Sequence, residues 1–444
     1  MRERLAALGQ AVRVPDIRKR IVFLFAMFGV YVACAHIPMP GIDKSALENL
    51  FRQAGGLGEM LDAFAGGSLK RFSVLALGIM PYISASIILQ LLTMAIPALE
   101  ELQKEGEYGR RKINAWTKYL TIAVAALQAF GMIAFLRRGA AFTGSMPLML
   151  YVVLMMVGGT AFLMWIADMI TEHGIGQGVS IIIFAGIMTR MPQDLAQTIQ
   201  LWQGGEVTGA NIAFLAVIMY ATIYLIVKFQ QAQRKIPVQY ARRVRGHRVY
   251  GGQTSYLPLR VNQAGVMPII FAISVALFPG QIAQALSGQA TIERMAALFH
   301  VTEDAVSRAM FSLVQFTTPG ENHFASFLYF LLVILFTYFY TAVTFNPEQI
   351  AENLQKNGGA IPGIRPGAST RDYLDRILYR ITLAGALFLG VIALMQYYVG
   401  DLTGVTTFTL VGGTSLLIVV GVALDTMQQI EAQLLMRHYS GFLK

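Results

Sequence analysis

Ten mainly apolar stretches punctuate this 444-residue chain, at residues 21–37, 72–92, 119–136, 148–170, 176–188, 212–227, 264–285, 324–345, 381–397 and 405–424. A hydrocarbon core of roughly 30 Å is crossed by a helix of about 17 to 25 such residues, and inside lipid each backbone polar group must be satisfied internally. The fifth run is short for this. With 55% hydrophobic and 14% charged residues, and a mean hydropathy of +0.55, a water-soluble globular fold is excluded. The expected fold is an all-α polytopic membrane protein with ten transmembrane helices.

Lys and Arg set the orientation, because basic residues stay on the cytoplasmic side. Alternate connections counted from the amino terminus collect 26 of the 35 basic residues on one side and 9 on the other. Both termini are therefore expected in the cytoplasm. The richest connection, from Lys228 to Arg260, carries eight. Cys34, the single cysteine, lies in the first run and reads as a small buried residue. The basic start, apolar run and Ala33-Cys34-Ala35 step imitate a signal peptide, but the expectation is a retained first span.

The stretch from Ala63 to Leu92 is the most informative. Residues 57–64 can form a short amphipathic helix ended by Gly66-Gly67, too short to span a bilayer. An apolar helix over 72–92 follows, with an expected kink at Gly78-Ile79-Met80-Pro81, since an internal proline removes a hydrogen bond. Gly265-Val266-Met267-Pro268 repeats that motif in the seventh run. Likewise the fifth run, from Gly178 to Gly186, is echoed in the tenth from Gly413 to Gly421. Runs 2 and 5 thus match runs 7 and 10, as two five-helix halves would; five being odd, the halves have inverted orientations. The offsets of the two pairs, 187 and 235, differ by 48, which places an insertion at 280–323 with an amphipathic helix around 292–299. The expected organisation is a first half at 1–190, an external hinge loop at 191–211, and a second half at 212–444 with basic loops at 228–263 and 346–380.

Inverted-repeat membrane proteins work between their halves, and a solute carrier places a charged or strongly polar residue there. Here the centres of the runs hold no Lys, Arg, Asp or Glu, and Asp168 and Asp425 fall near helix ends. There is no His-Glu-x-x-His pattern, no paired catalytic carboxylates, and no nucleophile–base spacing, so no enzyme, cofactor or metal site is expected. The glycines of Gly174-Ile175-Gly176-Gln177-Gly178 follow no strand and cannot be a dinucleotide loop. What recurs near the motifs is branched and apolar: Ile79, Ile83, Ile183, Ile270 and Ile418. Packing filler is the ordinary role of an isoleucine in a span. The functional alternative is an apolar constriction that excludes water, suited to a passenger without fixed chemistry such as an extended polypeptide. The long basic loops, with Tyr240 and Tyr250 interleaved, exceed the needs of a small carrier and suit docking of a large acidic or RNA-containing partner.

Several stretches resemble the SecY family, the central subunits of bacterial protein-conducting channels. They are 77–87, 174–186, Phe345-Asn346-Pro347, 361–367 and 412–418. The resemblance implies a clamshell of two halves around an hourglass pore. Its waist would be a ring of Ile79, Ile83, Val179, Ile183, Ile270 and Ile418, with Val179 where the family commonly has Ile. The resting pore would be closed by a plug around 57–71 that includes Leu57, Met60, Leu61, Phe64, Gly66 and Gly67. Spans 2 and 7, with 3 and 8, would form a lateral gate lined by Pro81, Ser84, Ile87, Pro268 and Phe271, through which signal sequences and membrane segments of nascent polypeptides enter the phospholipid bilayer. The basic loops would bind the ribosome or the SecA motor through Arg242, Arg243, Arg248 and above all Arg365, while His247 stands where another Arg is usual. SecE, SecG and a YidC-type insertase are the other implied partners, in the bacterial inner membrane. A small-solute transporter remains the competing reading; it predicts saturable uptake of one compound, whereas a channel subunit co-purifies with a small partner of one to three spans.

Overall fold

The structure, a computed structural model, describes residues 14–43, 45–47, 66–138, 141–240, 243–245, 248–250, 254–286, 296–297, 302–317, 319–320, 322–405 and 413–441. Each of the ten apolar runs carries a helix. Among the described residues, six helices are long and apolar enough by themselves to cross a membrane, or seven if one bent pair counts as a single span. The chain is an all-α polytopic membrane protein, with its described strands confined to the basic loops. It divides into two compact units, Met1–Gly204 with Phe278–Thr318 and Val422–Lys444, and Gly205–Leu277 with Pro319–Gly421.

In the first unit, α1 (Pro15–Ala35) opens with proline and Asp16 in its first turn. Proline there loses only an N–H that no helix uses, and a carboxylate suits the positive end of the helix dipole. Residues 66–79 form a succession of turns rather than the first half of a helix. α2 (Met80–Ala95) begins only after Gly78, whose φ is +56°, and Pro81 lies in its first turn. The expected kink at Pro81 is therefore corrected: proline at a helix start forfeits no hydrogen bond and bends nothing. The sharp break comes at Ile96, held extended because Pro97 follows it, and α3 (Pro97–Lys104) leaves α2 at 101°.

α4 (Glu107–Arg138), α5 (Met146–His173) and α6 (Gly178–Gln203) complete the larger helices of this unit's first segment. The charged stretch 100–118 between the second and third runs is almost wholly helical, broken only at Glu105-Gly106. The fifth run grows to 26 residues, and the hinge loop expected at 191–211 is helical through Gln203. Leu69, Phe72 and Leu77 of the turns pack with Ala129 and Ile133 of α4 and with Val152 and Met156 of α5. Ile17, Ile175 and Ile430 form a smaller cluster, beside which Gln429 Oε1 accepts from Gly176 N at 2.8 Å.

In the second unit, α7 (Gly209–Gln231) is capped by Thr208, whose hydroxyl accepts from Asn211 N. The basic loop beyond it is built on strands: β1 (Gln233–Tyr240), β2 (Arg243–Arg245), β3 (Arg248–Tyr250) and β4 (Thr254–Arg260). β1 is the centre of an antiparallel sheet, pairing Ile236 with Leu257 of β4 and Gln239 with Ala360 of β5 (Gly359–Ala360). One face of the sheet buries Ile236, Val238 and Leu259 against Ile361 and Leu374. α8 (Met267–Leu286) occupies the seventh run and belongs to this unit through Leu277, whereas α9 (Glu303–Thr317), in the expected insertion, is counted with the first unit. The amphipathic helix expected at 292–299 lies for the most part outside the described residues.

The eighth run is α10 (His323–Thr344), followed by α11 (Pro347–Lys356), where Asn346 Oδ1 accepts from Glu348 N and Gln349 N at 3.0 and 3.2 Å. α12 (Ala368–Thr403) runs 36 residues, so helix replaces the end of the loop expected at 346–380. α13 (Gly413–Gly441) carries the tenth run.

Candidate functional site

The repeated Gly-x-Met-Pro motif is one local structure made twice, once in each unit. Gly78 and Gly265 adopt φ of +56° and +65°, a left-handed conformation that glycine takes without steric penalty. A helix then starts at the methionine. In α2, Tyr82 N and Ile83 N both bond back to Ile79 O at 3.1 Å; in α8, Ile269 N and Ile270 N bond to Val266 O at 3.1 and 3.4 Å. Ile83 and Ile270 thus hold the same place in the two helices. The other repeated pair behaves alike. Gly178 opens α6 so close to α5 that a Cβ would overlap the Ala167 carbonyl, and Gly413 opens α13 equally close to the Ile392 carbonyl of α12.

Of the expected pore-ring residues, Ile79, Ile83, Ile183, Ile270 and Ile418 are each no more than 5% exposed, and Val179 is half-buried. In the first unit Ile79 ends the run of turns, Ile83 lies in the first turn of α2, and Val179 and Ile183 stand one turn apart on α6. In the second, Ile270 belongs to α8 and Ile418 to α13. Pro81 and Ile87 of α2 are buried and Ser84 is half-buried. Pro268 and Phe271 of α8 are buried as well, and the Phe271 ring meets Phe336 and Tyr340 of α10 edge-on, at 6.0 and 5.9 Å.

Gly66 and Gly67 are turn residues with φ of +66° and +77°. Leu57, Met60, Leu61 and Phe64 lie outside the described residues, as does Arg242. Arg243 and Arg248 fall in paired strands, where Arg243 faces Tyr250 and Arg245 faces Arg248. Arg365 is exposed on the connection between β5 and α12. That connection is held firmly: Ile361 is in the sheet core with Ile364 packed against it, Ile364 N bonds to Ile361 O at 3.0 Å, and the Thr370 hydroxyl donates to Arg365 O at 2.9 Å.

Ending the fifth run at Met188 left Arg190 and Asp194 in a loop, yet both are buried on α6. Their i, i+4 spacing, opposite charges and neighbouring apolar run were the available signal. Asp168, expected at a helix end, takes part in an ion pair with Lys118 at 2.6 Å between α5 and α4.

The family model SecY matches residues 73–427. The protein translocase subunit SecY of Thermus thermophilus is 43% identical over 447 residues, covering 99% of this chain and 98% of its own. The SecY subunit of Halalkalibacterium halodurans is 44% identical over 441 residues, with 97% and 98% covered. Among solved structures, one concerned with the plug domain of the SecY protein and the closed state of its translocation channel superposes with a TM-score of 0.64 at 17% identity, covering 96% of each chain. Sec61 in the canine ribosome-channel complex gives 0.58 at 16% identity, again over 96% of each. Those two likenesses concern the fold; the sequence matches, spanning the repeated motifs and the Arg365 connection, decide the family. This chain belongs to the SecY family.

Proposed function

We propose that this chain is the protein-conducting channel of a translocase, passing unfolded polypeptides across the membrane and releasing apolar segments sideways into lipid. One observation carries the reading: five buried isoleucines, Ile79, Ile83, Ile183, Ile270 and Ile418, fall in or beside helices built on twice-repeated glycine starts, in runs free of Lys, Arg, Asp and Glu. A ring of these with Val179 makes an apolar constriction that excludes water and ions but offers no fixed partner, so an extended polypeptide of any sequence can pass. Residues 57–71 close the resting ring as a plug. α2 and α8, with α4 and α10, line the side exit at Pro81, Ser84, Ile87, Pro268 and Phe271.

The basic loops dock the motor or the ribosome. Arg365, exposed on a braced turn, is the first contact for SecA, and the hairpin arginines Arg243 and Arg248, with Arg242, face RNA phosphate. SecE and SecG complete the complex, a YidC-type insertase receives exiting segments, and both termini lie in the cytoplasm of a bacterial cell. The channel itself catalyses nothing; energy comes from the motor or from translation. The test is reconstitution of the purified complex into liposomes with SecA, ATP and a secretory precursor. Protease-protected precursor is the expected result. Precursor that stays fully degradable beside an active control translocase would refute the proposal.

A further inference from the structure

Three elements of the first unit converge on two glycines. Gly66, at φ +66°, rests backbone against backbone on Gly186 of α6: a Cβ at Gly66 would lie 2.7 Å from Gly186 Cα and 3.2 Å from Gly186 O. The hydroxyl of Tyr31, a buried residue of α1, covers both, 3.1 Å from where a Gly186 Cβ would stand and overlapping one at Gly66. Thr189 closes the fourth side, its hydroxyl donating to Gly186 O at 2.8 Å and lying 3.5 Å from Gly66 O.

What leaves this seat is stiff. Ser73 N bonds to Ser68 O, Ala76 N to Ser73 O and Gly78 N to Leu75 O, at 2.8 to 3.0 Å. Met39 N and Val74 N tie the same run to the chain beyond α1, through Phe72 O and Ile37 O at 3.0 and 3.1 Å. Phe72, buried and at φ +45°, is kept by these neighbours in a conformation a free chain avoids. A displacement at Gly66 is therefore carried to Ile79 rather than absorbed. Ile183 lies three residues before Gly186 on α6, on nearly the same face.

We infer that Gly186, Gly66 and Tyr31 are positioning residues for the apolar ring: they set how closely the turn run that ends in Ile79 and Ile83 approaches the helix that bears Ile183. This rests on the channel reading proposed above. The seat at Gly66 admits no side chain, and a methyl group at Gly186, 3.1 Å from the Tyr31 hydroxyl and 3.3 Å from Gly66 Cα, makes the cap and the turn run give by a few tenths of an ångström, which loosens the seal.

Resting ion conductance in planar bilayers tests it, on the purified complex bearing Gly186→Ala, Gly186→Ala with Tyr31→Phe, and Ile83→Gly as ring control. The expected result is severalfold higher conductance for Gly186→Ala at unchanged complex yield and melting temperature. The double variant, which removes the hydroxyl that crowds the new methyl, should fall back toward the parent. A purely structural role would lower yield or melting temperature and leave conductance unmoved. If Ile83→Gly leaks while Gly186→Ala does not, the seat is overturned and the ring stands. If neither leaks, the ring reading fails and the seat with it. Should Gly186→Ala fail to assemble, Tyr31→Leu, which removes the cap without crowding the backbone, is judged by the same two outcomes.

Discussion

Arg190 Nε lies 3.3 Å from Asp194 Oδ1, one turn along α6, with both side chains less than 10% exposed. Charges so enclosed are tolerated because each offsets the other's lost hydration. Removing one member of a buried ion pair costs about 3–5 kcal/mol, whereas replacing both with apolar side chains is often neutral. Asp194→Asn should thus lower the melting temperature of the detergent-purified complex markedly, and Arg190→Met with Asp194→Leu should lower it much less. Equal losses for the single and double variants would show that the charges are not coupled.

Gly178→Ala and Gly413→Ala should be damaging to similar degrees, because each methyl meets a backbone carbonyl that cannot rotate away. Overpacking of this kind costs about 1–3 kcal/mol or more. Ala at Gly131 of α4, where a Cβ meets nothing within 4 Å, is the matched control and should be near neutral. Thermal unfolding of the three variants measures the difference.

Changing Ile83, Ile183 and Ile418 to Gly together should make the resting channel leak ions in a planar bilayer, since a constriction without side chains no longer excludes water. Conductance identical to the parent would remove these residues from the ring.

Arg365→Glu should abolish SecA-driven translocation while leaving the complex assembled, because the side chain is exposed and its backbone is braced independently by Ile361, Ile364 and Thr370. ATP-dependent import of a precursor into proteoliposomes reads the first effect and gel filtration the second. Normal import would exclude Arg365 as a motor contact.

The Asp43 carboxyl, in the connection after α1, is held below its ordinary range by the hydroxyl and then the backbone N–H of Ser45, at 2.7 and 2.9 Å. A depressed folded value means that this contact stabilises above the ordinary carboxylate range and is lost as pH falls through the folded value. Ser45→Ala should therefore raise the Asp43 titration, followed by carboxyl NMR on isotope-labelled protein. An unmoved midpoint would assign the shift elsewhere.

The apolar runs were legible as helices because hydropathy needs no distant partner to declare itself, and even the short fifth run marked a true helix; among the described residues six, or seven with the bent pair, are long and apolar enough to cross a membrane. The repeated motifs were legible too, since glycine and proline carry backbone requirements of their own. Arg190 and Asp194 were lost only through a boundary drawn at Met188. The strands of the basic loops were invisible for a different reason. Gln239 pairs with Ala360, a partner more than a hundred residues away, and no local pattern in either loop announces that meeting.

Gly78-Ile79-Met80-Pro81 shows where the division falls. Residues alone determined that Gly78 could turn left-handed and that Pro81 could not sit harmlessly in mid-helix. Both a kinked long helix and a late-starting short one satisfy those conditions. The choice was made by the chain beyond α1, where Met39 and Ile37 bind Phe72 and Val74 and hold the preceding run in turns. A backbone already committed to those partners cannot also supply the hydrogen bonds of a helix, so the helix begins at Met80.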